Sequence, residues 1–334
     1  MIAGCLACGS QGTTIIETFS TTDFLRRFIS EVHGELRHDA LEVSSVVAGE
    51  LPSRYDMVRC GACGLEAASP MCAGSSRFYE VVYRYMSARR AAWEFGQFER
   101  DLSAPQRVLD VGCGDGSFVA YARGRGYDVE GLDFNPSLVE GARDADLPVH
   151  LVDACGLPKW LQGHDYPVFT MWQVLEHLSD PIQTLSELRQ GSAAGTRLVV
   201  AVPSDRFYLT AKSRRLVLDY PPRHLTRWTP RALRAAGARA GWRLDLHRYE
   251  DADGALREYG PRLIKSLLLN RNLLNELRSF MTQRRFSPHA FLAEYDHRLN
   301  SLVVRVLGRG LYYLMRMERH GCTGMTQYAI FTAH

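Results

Sequence analysis

The stretch RVLDVGCGDGSF, residues 107–118, places Gly112, Gly114 and Gly116 at alternate positions directly after a run of aliphatic residues. It predicts a strand that ends at Val111 and a helix that begins near the third glycine. Glycine carries no Cβ, so the backbone of the turn between them can approach a ligand closely. The helix directs its free N–H groups and the positive end of its dipole at the same place. The turn is therefore expected to bind a carboxylate or a phosphate.

Three aspartates near this turn indicate which ligand it holds. The spacing G-x-G-x-G lacks the extra residue by which dinucleotide sites make room for a pyrophosphate. Asp110, directly before the turn, repels a phosphate and attracts a cation. Asp133 ends the next predicted strand, where it can accept hydrogen bonds from both hydroxyls of a ribose. Asp153 ends the third, where it can accept a hydrogen bond from an exocyclic amine. S-adenosylmethionine carries an ammonium, a carboxylate, a ribose and an adenine, and it is the cofactor that fits these positions.

Residues 105–250 alternate strand patterns with helical patterns. Helical stretches such as 116–125 and 181–190 separate the strands, which predicts βαβ units and a parallel sheet. After residue 250 the chain is mostly helical over 260–320 and then returns to a strand pattern. The predicted fold class is therefore α/β. The predicted strands cover 107–111, 128–133, 148–153, 167–172, 197–202, 242–250 and 325–333.

Four motifs of this region belong together: VLDVGCGDGSF at 108–118, GLDFNP at 131–136, VDACGLP at 152–158 and VLEHLSDP at 174–181. As a set they resemble the motifs of the class I S-adenosylmethionine-dependent methyltransferases. The resemblance implies a Rossmann-like seven-stranded sheet whose last strand, MTQYAIFTA, is antiparallel to its neighbours. It also implies that the cofactor-binding residues are Asp110, Gly112, Gly114, Gly116, Asp133, Phe134, Asp153, Ala154 and Gln173.

Two matching Cys-x-x-Cys-Gly motifs lie in the N-terminal region, CLACG at 5–9 and CGACG at 60–64. Each pair provides two thiolates for one ion, and the following glycine permits the positive φ that turns backbone N–H groups toward sulfur. Four thiolates in tetrahedral geometry favour Zn²⁺. Although 51 residues lie between the pairs, the matched glycines favour one shared structural zinc site. Its expected ligands are Cys5, Cys8, Cys60 and Cys63.

The four cysteines also have two other interpretations, four reduced thiols without a metal and a redox role for one pair. A zinc module can bind nucleic acid, but Arg54 and Arg59 are the basic residues around the motifs, and they lie among Glu50, Asp56 and Glu66. This mixture of charges makes a weak phosphate-binding surface, so we favour a scaffold or substrate-binding role for the zinc module. The remaining cysteines, expected to be buried or incidental, are Cys72, Cys113, Cys155 and Cys322.

The candidate catalytic residues follow the fourth and fifth strands of the core. Methyl transfer is an in-line displacement that needs an aligned nucleophile and often a base that takes its proton. His177 lies beside Glu176 in QVLEHLSDP, and His224 lies with Tyr220 in the loop DYPPRHLTRWTP. Histidine titrates near neutral pH, and ligands bind beyond strand ends in open α/β sheets. His224, His177 and Tyr220 are therefore the candidates, although His177 has an equally good structural interpretation.

The identity of the base stays open. Relatives of this branch carry a PPHHL-like loop after the fifth strand, and Arg223 here replaces the first of its two histidines. Transfer by proximity alone, without any base, is a second interpretation.

The expected organisation has five parts. They are a zinc-binding module at 1–75, a linking helix at 76–104, the cofactor-binding core at 105–250, a helical insertion at 251–322 and a final core strand at 323–334. The insertion is expected to act as a substrate lid or a homodimer contact. An arginine stripe on one face of its helix is either solvated, or binds an anionic substrate such as a nucleotide sugar, or contacts a membrane surface. The stripe consists of Arg298, Arg305, Arg309 and Arg316.

Composition and charge exclude several broad classes. The 334 residues are 46% hydrophobic and 23% charged with a net charge of +3, which is typical of a globular protein without a strong field toward nucleic acid or membrane. The sequence contains no secretory signal and no apolar stretch of about 18 residues or more, so a cytoplasmic protein without a transmembrane helix is expected. Eight cysteines then indicate reduced thiols or metal ligands rather than disulfides.

Three functional hypotheses follow. The first is a methyltransferase for a small-molecule acceptor, a sugar or natural-product intermediate, because the four-cysteine module fused to this core resembles antibiotic-sugar C-methyltransferases; O-methylation is equally compatible with the sequence. The second is an RNA methyltransferase that uses the module for nucleic-acid contact, which the low net charge disfavours. The third is a non-catalytic cofactor-binding scaffold, which the intact pocket acids disfavour.

Overall fold

The computed structural model describes residues 4–31, 49–83, 93–102, 106–153, 156–206, 219–251 and 324–334. The chain divides into two compact units. The first comprises residues 1–205, 216–248 and 326–334, and the second comprises 206–215 and 249–325. Nearly all the described residues belong to the first unit.

The described residues form eleven strands and eight α-helices. The strands are β1 (Thr13–Ser20), β2 (Arg54–Cys60), β3 (Glu66–Ser69), β4 (Arg107–Val111), β5 (Asp128–Asp133), β6 (Val149–Leu151), β7 (Val168–Trp172), β8 (Arg197–Pro203), β9 (Thr226–Arg227), β10 (Trp242–Tyr249) and β11 (Thr326–Ala333). The helices are α1 (Thr21–Glu31), α2 (Ser76–Tyr83), α3 (Trp93–Asp101), α4 (Ser117–Arg123), α5 (Pro136–Asp144), α6 (Leu157–Leu161), α7 (Pro181–Gln190) and α8 (Pro230–Arg239).

Seven strands form the larger sheet, in the order β10-β11-β8-β7-β4-β5-β6. The neighbouring strands from β6 through β4 and β7 to β8 pair in parallel. β11 pairs antiparallel with β8, with Tyr328 opposite Ala201. The α/β class, the seven-stranded sheet and the antiparallel last strand predicted from the sequence are confirmed. The third predicted strand, 148–153, is shorter in the structure, where β6 covers Val149–Leu151.

Apolar side chains cover both faces of this sheet, as a buried parallel sheet requires. On one face, Phe95 and Phe98 of α3 pack against Phe118 of α4 and Trp172 of β7. On the other face, Leu185 of α7 belongs to the larger core cluster. Its backbone carbonyl accepts the indole N–H of the fully buried Trp242 of β10 at 2.8 Å. Burial of each large side chain contributes about 2 kcal/mol, so the strand ends rest on a rigid support.

A smaller antiparallel sheet has the order β1-β2-β3-β9. Its first three strands come from the N-terminal region, whereas β9 comes from the loop that follows β8. Glu66 of β3 lies opposite Arg227 of β9. Thr229 then caps α8 by accepting the Ala232 N–H, and its hydroxyl donates to the Cys63 carbonyl at 2.6 Å. The N-terminal cysteine region and the larger sheet therefore belong to one compact unit.

Several expectations lie outside the described residues. Helix is present at Ser76–Tyr83 and at Trp93–Asp101, and the residues between these helices fall in a range that the structure does not describe. The arginine stripe, the helical insertion and Ala154 also lie outside the described ranges, as do Cys155 and Cys322. The five-part domain organisation stays a prediction. Among the described helices, none is long and apolar enough to cross a membrane.

Replacement of Gly112 by Ala is expected to destabilise the protein by about 2–4 kcal/mol. Gly112 has a φ of +76°, and a Cβ there would lie 2.5 Å from one methyl of Val174 and 3.0 Å from the other. Rotation of the branched valine brings one methyl or the other into the clash. Urea unfolding of the purified protein measures the effect.

The matched control is Gly126→Ala. Gly126 has a φ of +85°, but a Cβ there would meet nothing within 4 Å, so only the backbone strain applies. The loss at Gly112 should exceed the loss at Gly126 by about 1–3 kcal/mol, and equal losses would contradict the packing argument.

Candidate active site

The glycine turn after β4 has the backbone geometry that the sequence predicts. Gly112, Gly114 and Gly116 all have positive φ, at 76°, 56° and 74°. Cβ atoms on the first and third would collide with Val174 and Leu147, whereas a Cβ on Gly114 would meet nothing within 4 Å. The backbone of Gly114 therefore borders open space into which a ligand can fit.

Asp133 connects this turn to the end of β5. Its Oδ2 accepts the Gly114 N–H at 2.8 Å, and its Oδ1 accepts the Asn135 N–H at 2.9 Å. Burial raises the pKa of Asp133, although the backbone N–H groups oppose the shift. A carboxylate oxygen has more than one lone pair, so each can accept a further hydrogen bond from a ligand hydroxyl.

Asn135 fixes the start of the helix that follows Asp133. Its side-chain oxygen accepts the N–H groups of Ser137 and Leu138, and Pro136 occupies the first helical position. The Asn135 amide nitrogen is buried and has no hydrogen-bond partner among the described residues. Asn135 was not among the predicted site residues, although an Asn-Pro pair is a recognisable helix start.

Asp110 is fully buried beneath the turn. Its Oδ1 accepts the Thr170 hydroxyl at 2.7 Å, and its Oδ2 has no partner among the described residues. Burial, together with the charge of Asp133, raises the pKa of Asp110 to about 8, against the effect of the Thr170 hydrogen bond. A cation near Oδ2 would stabilise the ionised carboxylate.

A cavity of about 650 Å³ opens at the ends of β5 and β6. Phe134 and Leu151 border it with exposed apolar surface, and Asp153 lies at its edge. The Asp153 carboxylate accepts the Gly156 N–H at 2.7 Å. An apolar wall beside a carboxylate is suited to a flat ring that carries an amine.

Gln173 stands directly after β7 in an unusual conformation. Its φ is +57°, and its N–H donates to the Ala201 carbonyl at 2.7 Å. Its side-chain nitrogen is buried and has no partner among the described residues. Left-handed conformations of residues other than glycine are typical of functional sites.

His177 lies in a short 3-10 turn, Leu175–His177, directly beyond β7. Its Nδ1 is 2.7 Å from the Arg223 carbonyl, so Nδ1 carries the proton and donates. Its Nε2 lies 3.8 Å from an oxygen of the buried Glu176. Tyr79 of α2 packs edge-on against both His177 and Phe134. Tyr79 thus lies between the histidine and Phe134, which borders the cavity.

His224 is nearly buried and is bound on both ring nitrogens. Its Nδ1 is 3.1 Å from an oxygen of Asp219, and its Nε2 is 2.7 Å from Nη1 of Arg223. A guanidinium can only donate, so Nε2 accepts and Nδ1 carries the proton. The ring centroids of His224 and His177 lie 4.7 Å apart. The structure therefore brings the two predicted histidines together.

Tyr220, the third predicted catalytic residue, has a different environment. Its hydroxyl donates to the Glu17 carboxylate of β1 at 3.0 Å, and its ring packs edge-on against Phe19. These contacts connect the histidine loop to the smaller sheet. The part of Tyr220 in catalysis stays a prediction.

The four predicted metal ligands form one cluster. The Sγ atoms of Cys5 and Cys63 are 3.6 Å apart, as are those of Cys8 and Cys60, and all four lie within 4.8 Å of one another. At a Zn–S distance of about 2.3 Å, the edge of a tetrahedron is about 3.8 Å. Burial raises the pKa of Cys5 and of Cys63. Burial acts in the same direction on Cys60, but hydrogen bonds from the N–H groups of residues 63 and 62 and with the thiols of Cys8 and Cys5 together outweigh it and lower that pKa to about 6.

Two residues that contact the predicted histidines were not themselves predicted from the sequence: Tyr79, which packs against His177, and Asp219, which binds His224. Tyr79 belongs to a stretch rich in aromatic residues, and that pattern does not distinguish it from its neighbours. Asp219 opens the DYPP stretch, and its contact with His224 depends on a loop conformation that no local pattern encodes.

Residues 82–247 match a family model described as a methyltransferase domain. The chain carries a methyltransferase domain. With its seven-stranded sheet and glycine turn, this domain belongs to the class I S-adenosylmethionine-dependent methyltransferases, which confirms the resemblance seen in the sequence motifs.

Individual relatives match smaller parts of the chain. A ubiquinone biosynthesis O-methyltransferase of Cereibacter sphaeroides is 31% identical over 103 residues, which cover 28% of this chain and 42% of the relative. A trans-aconitate 2-methyltransferase of Mycobacterium sp. is 29% identical over 129 residues, 38% of this chain and 48% of the relative. The chain thus spans less than half of these relatives. A solved methyltransferase from Archaeoglobus fulgidus aligns with a TM-score of 0.45 at 16% identity, over 77% of this chain and 100% of that one.

Replacement of Asp110 by Asn is expected to change how stability depends on pH. The pKa of Asp110 is about 8 in the folded protein and about 4 in an unfolded chain. The folded state therefore binds more protons between these values, and the free energy of unfolding falls as the pH rises from about 4 to about 8. Asp110→Asn, which keeps an acceptor for Thr170, should remove this fall and be more stable than the wild type at pH 8. Urea unfolding across this pH range measures the change.

Asp128→Asn is the control, because the Asp128 side chain at the start of the neighbouring strand is 75% exposed. It should keep the wild-type slope. A wild-type slope in Asp110→Asn would show that the buried carboxyl does not titrate as stated.

Proposed function

We propose that the whole protein is an S-adenosylmethionine-dependent methyltransferase with a small-molecule acceptor. The observation that carries the proposal is the position of Asp133. Its carboxylate is buried at the end of β5 and fixed by two backbone N–H groups, one of them from the glycine turn. A buried carboxylate held beside open backbone is suited to ribose hydroxyls rather than to a diphosphate.

In this proposal, different residues of the chain bind different parts of the cofactor. The turn at Gly112–Gly116 and the start of α4 receive the carboxylate of the methionine part. Asp110 supplies the negative charge for its ammonium, and Asp133 accepts the ribose hydroxyls. Phe134, Asp153 and the cavity beside them receive the adenine. When bound, the cofactor supplies an electrophilic methyl group on a sulfonium.

Asp133→Ala is expected to weaken S-adenosylmethionine binding by about tenfold to a hundredfold, because two charge-assisted hydrogen bonds are lost. Titration calorimetry with S-adenosylmethionine and with S-adenosylhomocysteine measures the affinity of the purified chain. Thermal unfolding should accompany the titration to show that the variant is folded.

Asp144→Ala is the matched control for this test. Asp144 is an exposed aspartate at the end of α5, in the same βαβ unit. Its replacement should leave the affinity unchanged. An absence of binding heat with the wild-type chain, or wild-type affinity in a folded Asp133→Ala, would overturn the proposed cofactor site.

The acceptor side of the proposal rests on His177, His224 and Tyr79. The two histidine rings are in contact beyond β7 and β8, and Tyr79 packs against His177 and against Phe134 of the cofactor side. These side chains would orient an acceptor hydroxyl or carbon for in-line displacement, and a histidine would remove its proton. A sugar or natural-product intermediate is the acceptor class that we favour, because the four-cysteine region accompanies this core as it does in the antibiotic-sugar enzymes that the sequence resembles.

A structural Zn²⁺ at the four cysteines belongs to the same proposal. The near-tetrahedral spacing of the sulfurs and four thiol donors without a carboxylate suit zinc. Gly9 and Gly64 each have positive φ, and their N–H groups donate to the carbonyls of Cys5 and Cys60. The two halves of the cluster thus share one backbone geometry.

The purified protein is expected to contain one zinc per chain by elemental analysis. Cys63→Ser should lower the zinc content and the melting temperature, because metal binding supplies about 10 kcal/mol of folding free energy in such modules. Cys72→Ser, at a cysteine outside the cluster, is the control and should keep the zinc. Purified protein without metal and with an unchanged melting temperature after chelation would rule out the zinc site.

A further inference from the structure

A series of charged side chains connects the smaller sheet with His224. It begins on the strands of the N-terminal region and ends at the histidine loop, and the members in contact order are Arg59, Glu66, Arg227, Asp219, His224 and Arg223. We refer to this set as the charge relay. Glu66 and Arg227 lie on strands of the smaller sheet, so neither is one of the residues proposed to bind the cofactor.

The first link of the charge relay joins β3 to β9. Glu66 lies directly opposite Arg227 in the strand register, and its Oε2 is 3.1 Å from Arg227 Nη1. Both side chains are about one-tenth exposed. The other Glu66 oxygen accepts the Arg59 guanidinium at 2.5 Å and 2.9 Å. A buried charge pair of this kind is costly to break one partner at a time, so Arg227 is held in one place.

The second link joins Arg227 to Asp219. Arg227 Nη2 donates to the Asp219 backbone carbonyl at 2.8 Å, and its Nε lies 3.3 Å from Oδ2 of the carboxylate. Burial opposes the charged form, but the carboxylates of Asp219 and Glu66 raise the pKa of Arg227. The guanidinium thus stays charged and binds Asp219 through both backbone and side chain.

The third link joins Asp219 to His224 through Oδ1 and Nδ1, at 3.1 Å. One oxygen of Asp219 therefore faces Arg227 and the other faces His224. Any change in the charge around Arg227 alters the strength with which Asp219 holds the proton on Nδ1. Arg223 completes the arrangement by donating to Nε2.

We propose that Glu66 and Arg227 are positioning residues for His224 that act on it through Asp219 in opposite directions: the Arg227 charge favours the neutral, Nδ1-protonated form against the acceptor site, and the Glu66 charge limits this effect. The role in catalysis rests on the proposed function. The electrostatic coupling itself does not. The smaller sheet, which lies next to the four cysteines in the sequence, then influences the charge state of a histidine in the candidate active site.

The titratable and charged groups that face His224 include two members of the charge relay and several groups outside it. Asp219 and Arg223 come from its own loop, and Glu176 and His177 come from the turn after β7. Tyr79 of α2 approaches through His177. These groups are the same in every variant below, so differences between variants report the charge relay alone.

Two single substitutions give shifts of opposite sign. Arg227→Met removes a positive charge beside Asp219, so the protonated imidazolium of His224 is favoured and the pH at which His224 titrates should rise by about one unit. Glu66→Gln removes a negative charge and leaves Arg227 bound to Asp219 alone, so the titration of His224 should move to lower pH by a similar amount.

The measurement is histidine titration by long-range ¹H–¹⁵N NMR on the full chain, without cofactor or acceptor, which reports the tautomer as well as the titration. His224→Gln assigns the resonance. Asp56→Asn is the matched control, because Asp56 lies on β2 of the same sheet and pairs with Arg54 rather than with the charge relay. It should leave the His224 titration unchanged.

Arg227→Lys provides a variant that retains the charge if Arg227→Met does not fold. It should restore most of the wild-type titration, whereas a merely structural role of Arg227 predicts no such recovery of the NMR signature. Shifts in one common direction, or a Glu66→Gln titration equal to the wild type, would overturn the proposal. Because no turnover is measured, failure here leaves the methyltransferase proposal standing, and failure of cofactor binding leaves the coupling standing.

Discussion

The hydrogen bond from the Gly114 N–H to the Asp133 carboxylate is the contact on which the candidate cofactor site depends. It ties the turn after β4 to the end of β5, two strands that lie side by side in the sheet. The same carboxylate accepts the Asn135 N–H, so one side chain orders two strand-to-helix turns. A buried carboxylate is stable only where donors surround it. The glycine turn supplies one of those donors and, at Gly114, leaves open space where another residue would place a Cβ.

The second constraint is the exchange of a strand between the two sheets. β9 follows the last parallel strand of the larger sheet, yet it pairs with β3 of the N-terminal region. Thr229 continues the connection by donating to the Cys63 carbonyl, and Arg239 of α8 donates to the Leu6 carbonyl at 2.7 Å. The loop between β8 and β9 carries His224. The described part of this loop, residues 219–225, leads directly into β9, so the pairing of β9 with β3 sets its position.

The parts of the fold and of the candidate site that the sequence predicted are those with a local pattern. The strand β5 and the helix α7 were predicted to the residue, because aliphatic runs and helix starts such as Asp180-Pro181 are local signals. The cysteine cluster follows from two short motifs in the same way. By contrast, β9 is only two residues long, and its partner lies far away in the sequence. Likewise, the contact of Tyr220 with Glu17 depends on long-range packing, so neither was predicted.

Arg223 changes what His224 can do in its present conformation. A histidine at position 223 could donate or accept, but a guanidinium only donates, and its Nη1 occupies the Nε2 lone pair of His224 at 2.7 Å. His224 can therefore take a proton from an acceptor only after Arg223 has left Nε2. The Arg223 backbone carbonyl, in contrast, accepts a hydrogen bond from Nδ1 of His177 and fixes that ring independently of the guanidinium. The backbone and the side chain of one residue thus act on two histidines, and movement of the side chain alone would free His224 without disturbing His177.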